Sequence, residues 1–199
     1  MYARVNTIRN ATDIDGGVKY ERGVLSELRS QRGYRGLSIS GDRASGTASI
    51  LSMWETKDDL ANSETTAGKM RHHILGVMGG DVTVEVFEQL AEAVGDPPPA
   101  EGCMLRVRQL QMDPATVEDN LAFFRTMILP TIQRSPGFRA VRNLLDRSTG
   151  RGAVGTVWTD VESLRAADAS FEERRATVEA RGVQFGEFTV AEVLLIDMP

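Results

Sequence analysis

Cysteine is almost missing from this 199-residue chain: Cys103 stands alone, so no intrachain disulfide and no thiolate metal cluster can form. Histidine is nearly as scarce. His72 and His73 are the only two, which leaves nothing for a multi-histidine metal centre or for a histidine dyad elsewhere. No metal site is expected. Lysine occurs only at positions 19, 57 and 69, and the arginines that supply the remaining basic charge are scattered rather than striped. With a net charge of −5, nucleic acid is not an expected partner. No apolar run approaches the roughly 18 residues that span a bilayer, so no membrane partner is expected either. The first residues, Met1 to Asn6, run straight into a strand-like pattern without a basic stretch, an apolar core and a small-residue cleavage site. The expected location is cytoplasmic.

What the chain does have is a repeat. The segment from Gly33-Tyr34-Arg35-Gly36 through Asp42-Arg43-Ala44-Ser45-Gly46 to Met53-Trp54 recurs without a gap as Gly137-Phe138-Arg139-Ala140 through Asp146-Arg147-Ser148-Thr149-Gly150 to Val157-Trp158. Two copies of one supersecondary unit must bury their apolar faces against something. The chain divides accordingly into a first repeat over 1–95, a proline-rich linker over 96–102 containing Pro97, Pro98 and Pro99, and a second repeat over 103–199.

Each copy opens on a strand. Ala3, Val5 and Thr7 alternate with Arg4, Asn6 and Ile8, as Leu105, Val107 and Gln109 do with Arg106, Arg108 and Leu110. In the second copy Asp113-Pro114 starts a helix whose stripe is Val117, Leu121, Phe124, Ile128 and Ile132, with a kink expected at Pro130. The first copy carries Val18, Val24, Leu25 and Leu28, and Gly23 predicts a shorter helix there. Gly33 and Gly137 close these helices. Second strands follow at Tyr34–Ser40 and Phe138–Leu145, then hairpin turns at Asp42–Gly46 and Asp146–Gly150, then third strands ending at Trp54 and Trp158. Thr56 and Asp160 cap a second helical region, and fourth strands are expected at Val82–Phe87 and Phe188–Leu195. The order is β-α-β-β-α-β. The expected fold class is therefore α+β, two tandem ferredoxin-like units packed as an intramolecular dimeric α+β barrel.

With that order, the glycine-aromatic start of the second strand (Gly33-Tyr34, Gly137-Phe138), and Trp54-Glu55-Thr56 or Trp158-Thr159-Asp160 ahead of a helix, each half resembles the antibiotic biosynthesis monooxygenase family. The resemblance covers nearly the whole chain, twice. It implies cofactor-independent monooxygenases acting on polycyclic phenols, haem-degrading monooxygenases, or members without known activity. The haem-degrading branch uses an asparagine on the first strand, a tryptophan on the second helical region and a histidine ligand further along it. Asn6 falls at the asparagine position, Ser63 at the tryptophan position, and His72 or His73 at the ligand position. The second copy has Arg108, Ala167, and Ala176 or Thr177 in their places, which would confine such a site to the N-terminal half.

On the helical wheel Ala67, Met70, Ile74 and Val77 form the apolar stripe, His73 flanks it and His72 lies nearly opposite. The two tryptophans recur at one place, which argues first for core packing. No glycine-rich phosphate loop, Ser-His-Asp order or paired carboxylates stand out. The function expected is monooxygenation of a bulky hydrophobic aromatic whose phenolate itself reduces dioxygen. Asn6 would steady the anion, His72 or His73 would move the proton, and Trp54 would wall the pocket. The alternatives are a haem-binding or haem-degrading protein, with His72 or His73 as ligand, and a non-catalytic barrel that binds a small ligand. A small hydrophobic or aromatic molecule is the expected partner, no cofactor or haem the two cofactor readings, and a homo-oligomer of the pseudo-dimer is open.

Overall fold

The computed structural model describes residues 1–198. Strand β1 (Tyr2–Arg9) turns at Asn10 into helix α1 (Ile14–Arg29), which Asp13 starts by accepting the backbone N–H of Gly16 on its side chain. Strand β2 (Tyr34–Asp42) and strand β3 (Thr47–Trp54) form the expected hairpin. Its turn is tied by Asp42, whose Oδ1 accepts the Ala44 N–H, and closes on Gly46 at φ 65°. Thr56 caps helix α2 (Lys57–Asn62), and helix α3 (Glu64–Met78) leads into strand β4 (Asp81–Val94). The second half runs through strand β5 (Met104–Gln111), helices α4 (Val117–Phe123) and α5 (Leu129–Arg134), strands β6 (Phe138–Leu145) and β7 (Arg151–Trp158), helix α6 (Val161–Glu179) and strand β8 (Gln184–Asp197).

The fold is α+β, and its eight strands pair antiparallel. Two compact units divide the chain, at points other than the repeat boundaries. Unit 1 holds Met1–Val86 and the chain from Ala191 onward, and unit 2 holds Phe87–Val190. In unit 1 the ladder order is β1-β3-β2-β8, with Leu37 opposite Asp197 and Gly41 opposite Glu192. In unit 2 it is β5-β7-β6-β4, with Glu88 opposite Leu145 and Val94 opposite Ala140. The fourth strand of each ladder thus comes from the other half of the sequence. Both β4 and β8 are 14 residues long, well beyond the segments at Val82–Phe87 and Phe188–Leu195 that the pattern alone suggests.

Helix α1 is longer than its sequence implied. Ile14, Gly17, Glu21 and Leu28 form its buried face, and Gly23 points to open space, so its lack of a side chain removes no packing. Below it Met70, Ile74 and Met78 of α3 join Ile8, Leu37, Ile39 and Ile50 in one core. In unit 2 the expected kink at Pro130 takes a definite form. Pro130 has no N–H for the carbonyl four residues back, and the ladder widens just before it into a π-turn over Phe124–Ile128, where the Leu129 N–H donates to the Phe124 carbonyl.

Trp54 and Trp158 are each about 1% exposed, as a structural role requires. Their indole N–H groups donate to Ser52 Oγ at 3.1 Å and Thr156 Oγ1 at 3.0 Å, and each ring meets an aromatic edge-on, Tyr34 or Phe138. Among the described residues no helix is long and apolar enough to cross a membrane.

Candidate functional site

A cavity lies in each unit, and these two differ in chemistry. That of unit 1 has a volume of about 40 Å³ and lies between β1 to β3 and the helices α1 and α3. Arg4, Asn6 and Ile8 project into it from one face of β1, Ser52 and Trp54 from β3, Glu21 and Leu28 from α1, and Met70, Arg71 and Ile74 from α3. The structure therefore places Asn6 and Trp54 on one cavity. It leaves the histidines out. Both are exposed on α3, and His73 stacks on the Tyr20 ring with centroids 4.4 Å apart.

Most polar groups of this cavity are matched internally. Arg4, 2% exposed, donates to Ser63 Oγ at 3.1 Å and to the Leu60 carbonyl at 2.7 Å, and pairs with Glu64 at 2.9 Å. Burial lowers its pKa, against the pull of Glu64. Arg71 pairs with the same Glu64 and donates to Asn6 Oδ1 at 3.2 Å, which fixes the amide so that its Nδ2 faces away from Arg71 with two N–H groups to donate. The amide's only other contact among the described residues is a long 3.5 Å one to the Ile50 carbonyl. Glu21 stands apart. It is 4% exposed, its Oε2 has no hydrogen-bond partner, and desolvation raises its pKa from 4.5 to about 7.

Haem held by a histidine does not fit here, because neither histidine lines the cavity. Ser63 gives the physical reason. It is 4% exposed and filled by the Arg4 guanidinium, so the space a tryptophan would take belongs to an arginine.

The cavity of unit 2 is larger, about 90 Å³. Leu110, Leu121, Phe124, Ile128 and Phe185 line its apolar part, and two of these, Phe124 and Ile128, belong to the π-turn. Arg106 and Arg108 enter side by side from one face of β5. Arg106 pairs with Asp168 of α6, and desolvation, followed by the charge of Arg108, lowers its pKa to about 10. Arg108 is 7% exposed and sits among aromatic rings, its guanidinium carbon 4.2 Å from the centroid of Phe171 and 5.0 Å from that of Phe188.

Sequence reasoning passed over Glu21, Arg106 and Arg108, although a signal for each was present. Glu21 is three residues after Val18 and seven before Leu28, on the apolar stripe of α1. Arg106 and Arg108 share a strand face with Leu110, so if Leu110 faces the core the arginines do too.

No family model matches the chain. An uncharacterised protein of Mycobacterium tuberculosis H37Rv is 27% identical over 191 residues, covering 94% of this chain and 85% of that one. Among solved structures, a candidate monooxygenase of Fusobacterium nucleatum superposes with a TM-score of 0.74 at 13% identity, covering 99% of this chain and 94% of that one. An anthrone oxidase-like protein gives 0.67 at 15% identity, with 98% and 92% covered. A haem-degrading enzyme of Listeria monocytogenes gives 0.55 at 8%, with 96% and 99% covered. The chain shares their fold.

Proposed function

We propose that the protein is a cofactor-independent monooxygenase whose reaction takes place in the unit 1 cavity, on a hydrophobic phenol whose reacting ring enters between α1, α3 and the sheet. The observation that carries this reading is Glu21: a buried carboxyl with a free oxygen and a pKa near 7, in the same cavity as Asn6 and Trp54. A general base works best with a pKa near the working pH. Glu21 replaces the histidines as the group that moves the proton.

Each residue then has one task. The Glu21 carboxylate takes the phenol proton and becomes a neutral acid, the form its apolar surroundings favour. The second N–H of Asn6 Nδ2 donates to the resulting oxyanion, and Arg71 is a positioning residue that holds the amide by its Oδ1. Arg4 and Arg71 share one carboxylate, Glu64, so once Glu21 has taken the proton the phenolate is left with an excess of positive charge to balance it. Trp54 walls the ring. The electron-rich phenolate reduces dioxygen itself: one oxygen atom enters the ring carbon as a carbonyl, the other leaves as water, and the ring supplies all four electrons. The fold shared with monooxygenase-named structures supports the class of reaction. The two sequence repeats, 1–95 and 103–199, are read as tandem copies of one element, supported by the register bulges at Tyr34/Gly36 and Phe138/Ala140 and the matched tryptophans.

Incubating the protein with a hydroxylated anthrone under ¹⁸O₂, without added reductant, tests this reading. One labelled oxygen is expected in the quinone product, and Glu21→Gln is expected to lower the rate by about 100-fold or more. Unchanged turnover in Glu21→Gln would sink it. A second reading, a non-catalytic ligand-binding protein, is favoured by the unit 2 cavity, whose nearest acids, Asp168 and Glu172, face arginines.

A further inference from the structure

The unit 2 cavity has open hydrogen-bonding capacity of two kinds. Arg108 Nε is buried without an acceptor, and Asn143 Oδ1 is buried without a donor. Each such group costs free energy unless something pairs with it. Nor is the charge of Arg108 well matched. Its carboxylate, Glu172, is 3.7 Å away, half exposed, and shared with Arg175 at 3.5 Å. Asp168 already faces Arg106.

The ladder register fixes how these groups are spaced. Arg108 is opposite Val154 on β7, and Val154 is opposite Asn143 on β6. All three line the cavity, so they form one row across three neighbouring strands. Strands lie about 4.8 Å apart, which separates the backbones of Arg108 and Asn143 by roughly 10 Å. Val154 between them is apolar, and Phe124, Ile128 and Phe185 also line the cavity.

We propose that this cavity is a second binding site, distinct from that of unit 1, for a flat two-ring aromatic carboxylate: the carboxylate seated on Arg108 beside Arg106, the rings over Val154, and a hydroxyl at the far end donating to Asn143 Oδ1. A carboxylate accepts from guanidinium N–H groups in the plane of the fork, which a point charge does not match. The Phe171 face already holds the Arg108 guanidinium carbon at 4.2 Å from its centroid, so the donor is placed before the ligand arrives.

Three probes of one shape test the assignment on the full chain by titration calorimetry: 6-hydroxy-2-naphthoate, 2-naphthoate and the neutral 2-naphthylmethanol. The hydroxy acid is expected to bind several-fold tighter than the plain acid, and the plain acid at least tenfold tighter than the alcohol. Arg108→Gln should erase the difference between acid and alcohol, Arg108→Lys should keep part of it, and Asn143→Leu should erase only the gain from the hydroxyl. Glu21→Gln should bind all three as the parent does, so this result is independent of the oxygenation reading. An alcohol that binds as tightly as its acid, or acid binding that survives Arg108→Gln unchanged, would overturn the assignment. Thermal unfolding of each variant identifies any that fails to fold, and the three probes on the unaltered chain decide the outcome without them.

Discussion

Glu21 and Arg108 are both charged residues on the core face of an element, and burial acts on them in opposite senses. It pushes the Glu21 carboxyl up and the Arg108 guanidinium down, each towards its neutral form. For Glu21 this has a stability consequence. Because its folded pKa, about 7, lies above the ordinary 4.5, the folded state holds its proton over a range where the unfolded chain has lost it. Stability from this residue is complete below about pH 4.5, falls as pH rises, and levels off above about 7. The gap of about 2.5 units corresponds to ~3 kcal/mol at 1.36 kcal/mol per unit. Glu21→Gln cannot titrate. Relative to the parent, the variant is expected to become more stable between pH 4.5 and 8, which denaturant unfolding at the two pH values measures. An unchanged difference would mean that Glu21 is solvated.

Helix α1 offers the same test at the scale of an element, through two glycines in one helix with opposite surroundings. A Cβ at Gly17 would lie 2.4 Å from the Met78 side chain, which is fully buried and has nowhere to go. A Cβ at Gly23 meets nothing within 4 Å. Gly23→Ala is therefore expected to stabilise by up to ~1 kcal/mol from helix propensity. Gly17→Ala is expected to destabilise by ~1–2 kcal/mol, because overpacking outweighs that gain. Thermal melts of the two variants check the signs. Much of this element level was legible in the sequence. Thr56 and Asp160 cap helices where the pattern placed them, and the hairpins turn at Asp42–Gly46 and Asp146–Gly150. Local chemistry decides these features. The exact form of the break before Pro130 was not legible, because proline fixes that the helix ladder must change and not whether it widens or bends.

For the whole molecule, the repeat located the ladders and tryptophans but not the chemistry. Asn6 was visible because a family pattern marks it, and the structure gives it a fixed amide through Arg71. His72 and His73 drew attention as rare residues on a helix, yet exposure depends on which helix face meets the sheet, and α3 buries Met70 and Ile74 instead. Strand alternation shows that Arg106 and Arg108 share a face without saying which face is inside. That choice is tertiary. The outcome is one fold with two unlike cavities: unit 1 with a buried carboxyl, Glu21, and unit 2 with the buried arginines Arg106 and Arg108.

The pH dependence of oxygen uptake with a hydroxylated anthrone tests the proton-taking role most directly, in the parent and in Glu21→Gln. The parent rate is expected to rise about tenfold per pH unit below 7 and to level off above it, as the carboxylate form fills. The variant should show no such rise and run about 100-fold below the parent's plateau above pH 7. The same rising limb in both proteins would contradict the assignment of Glu21 as the base.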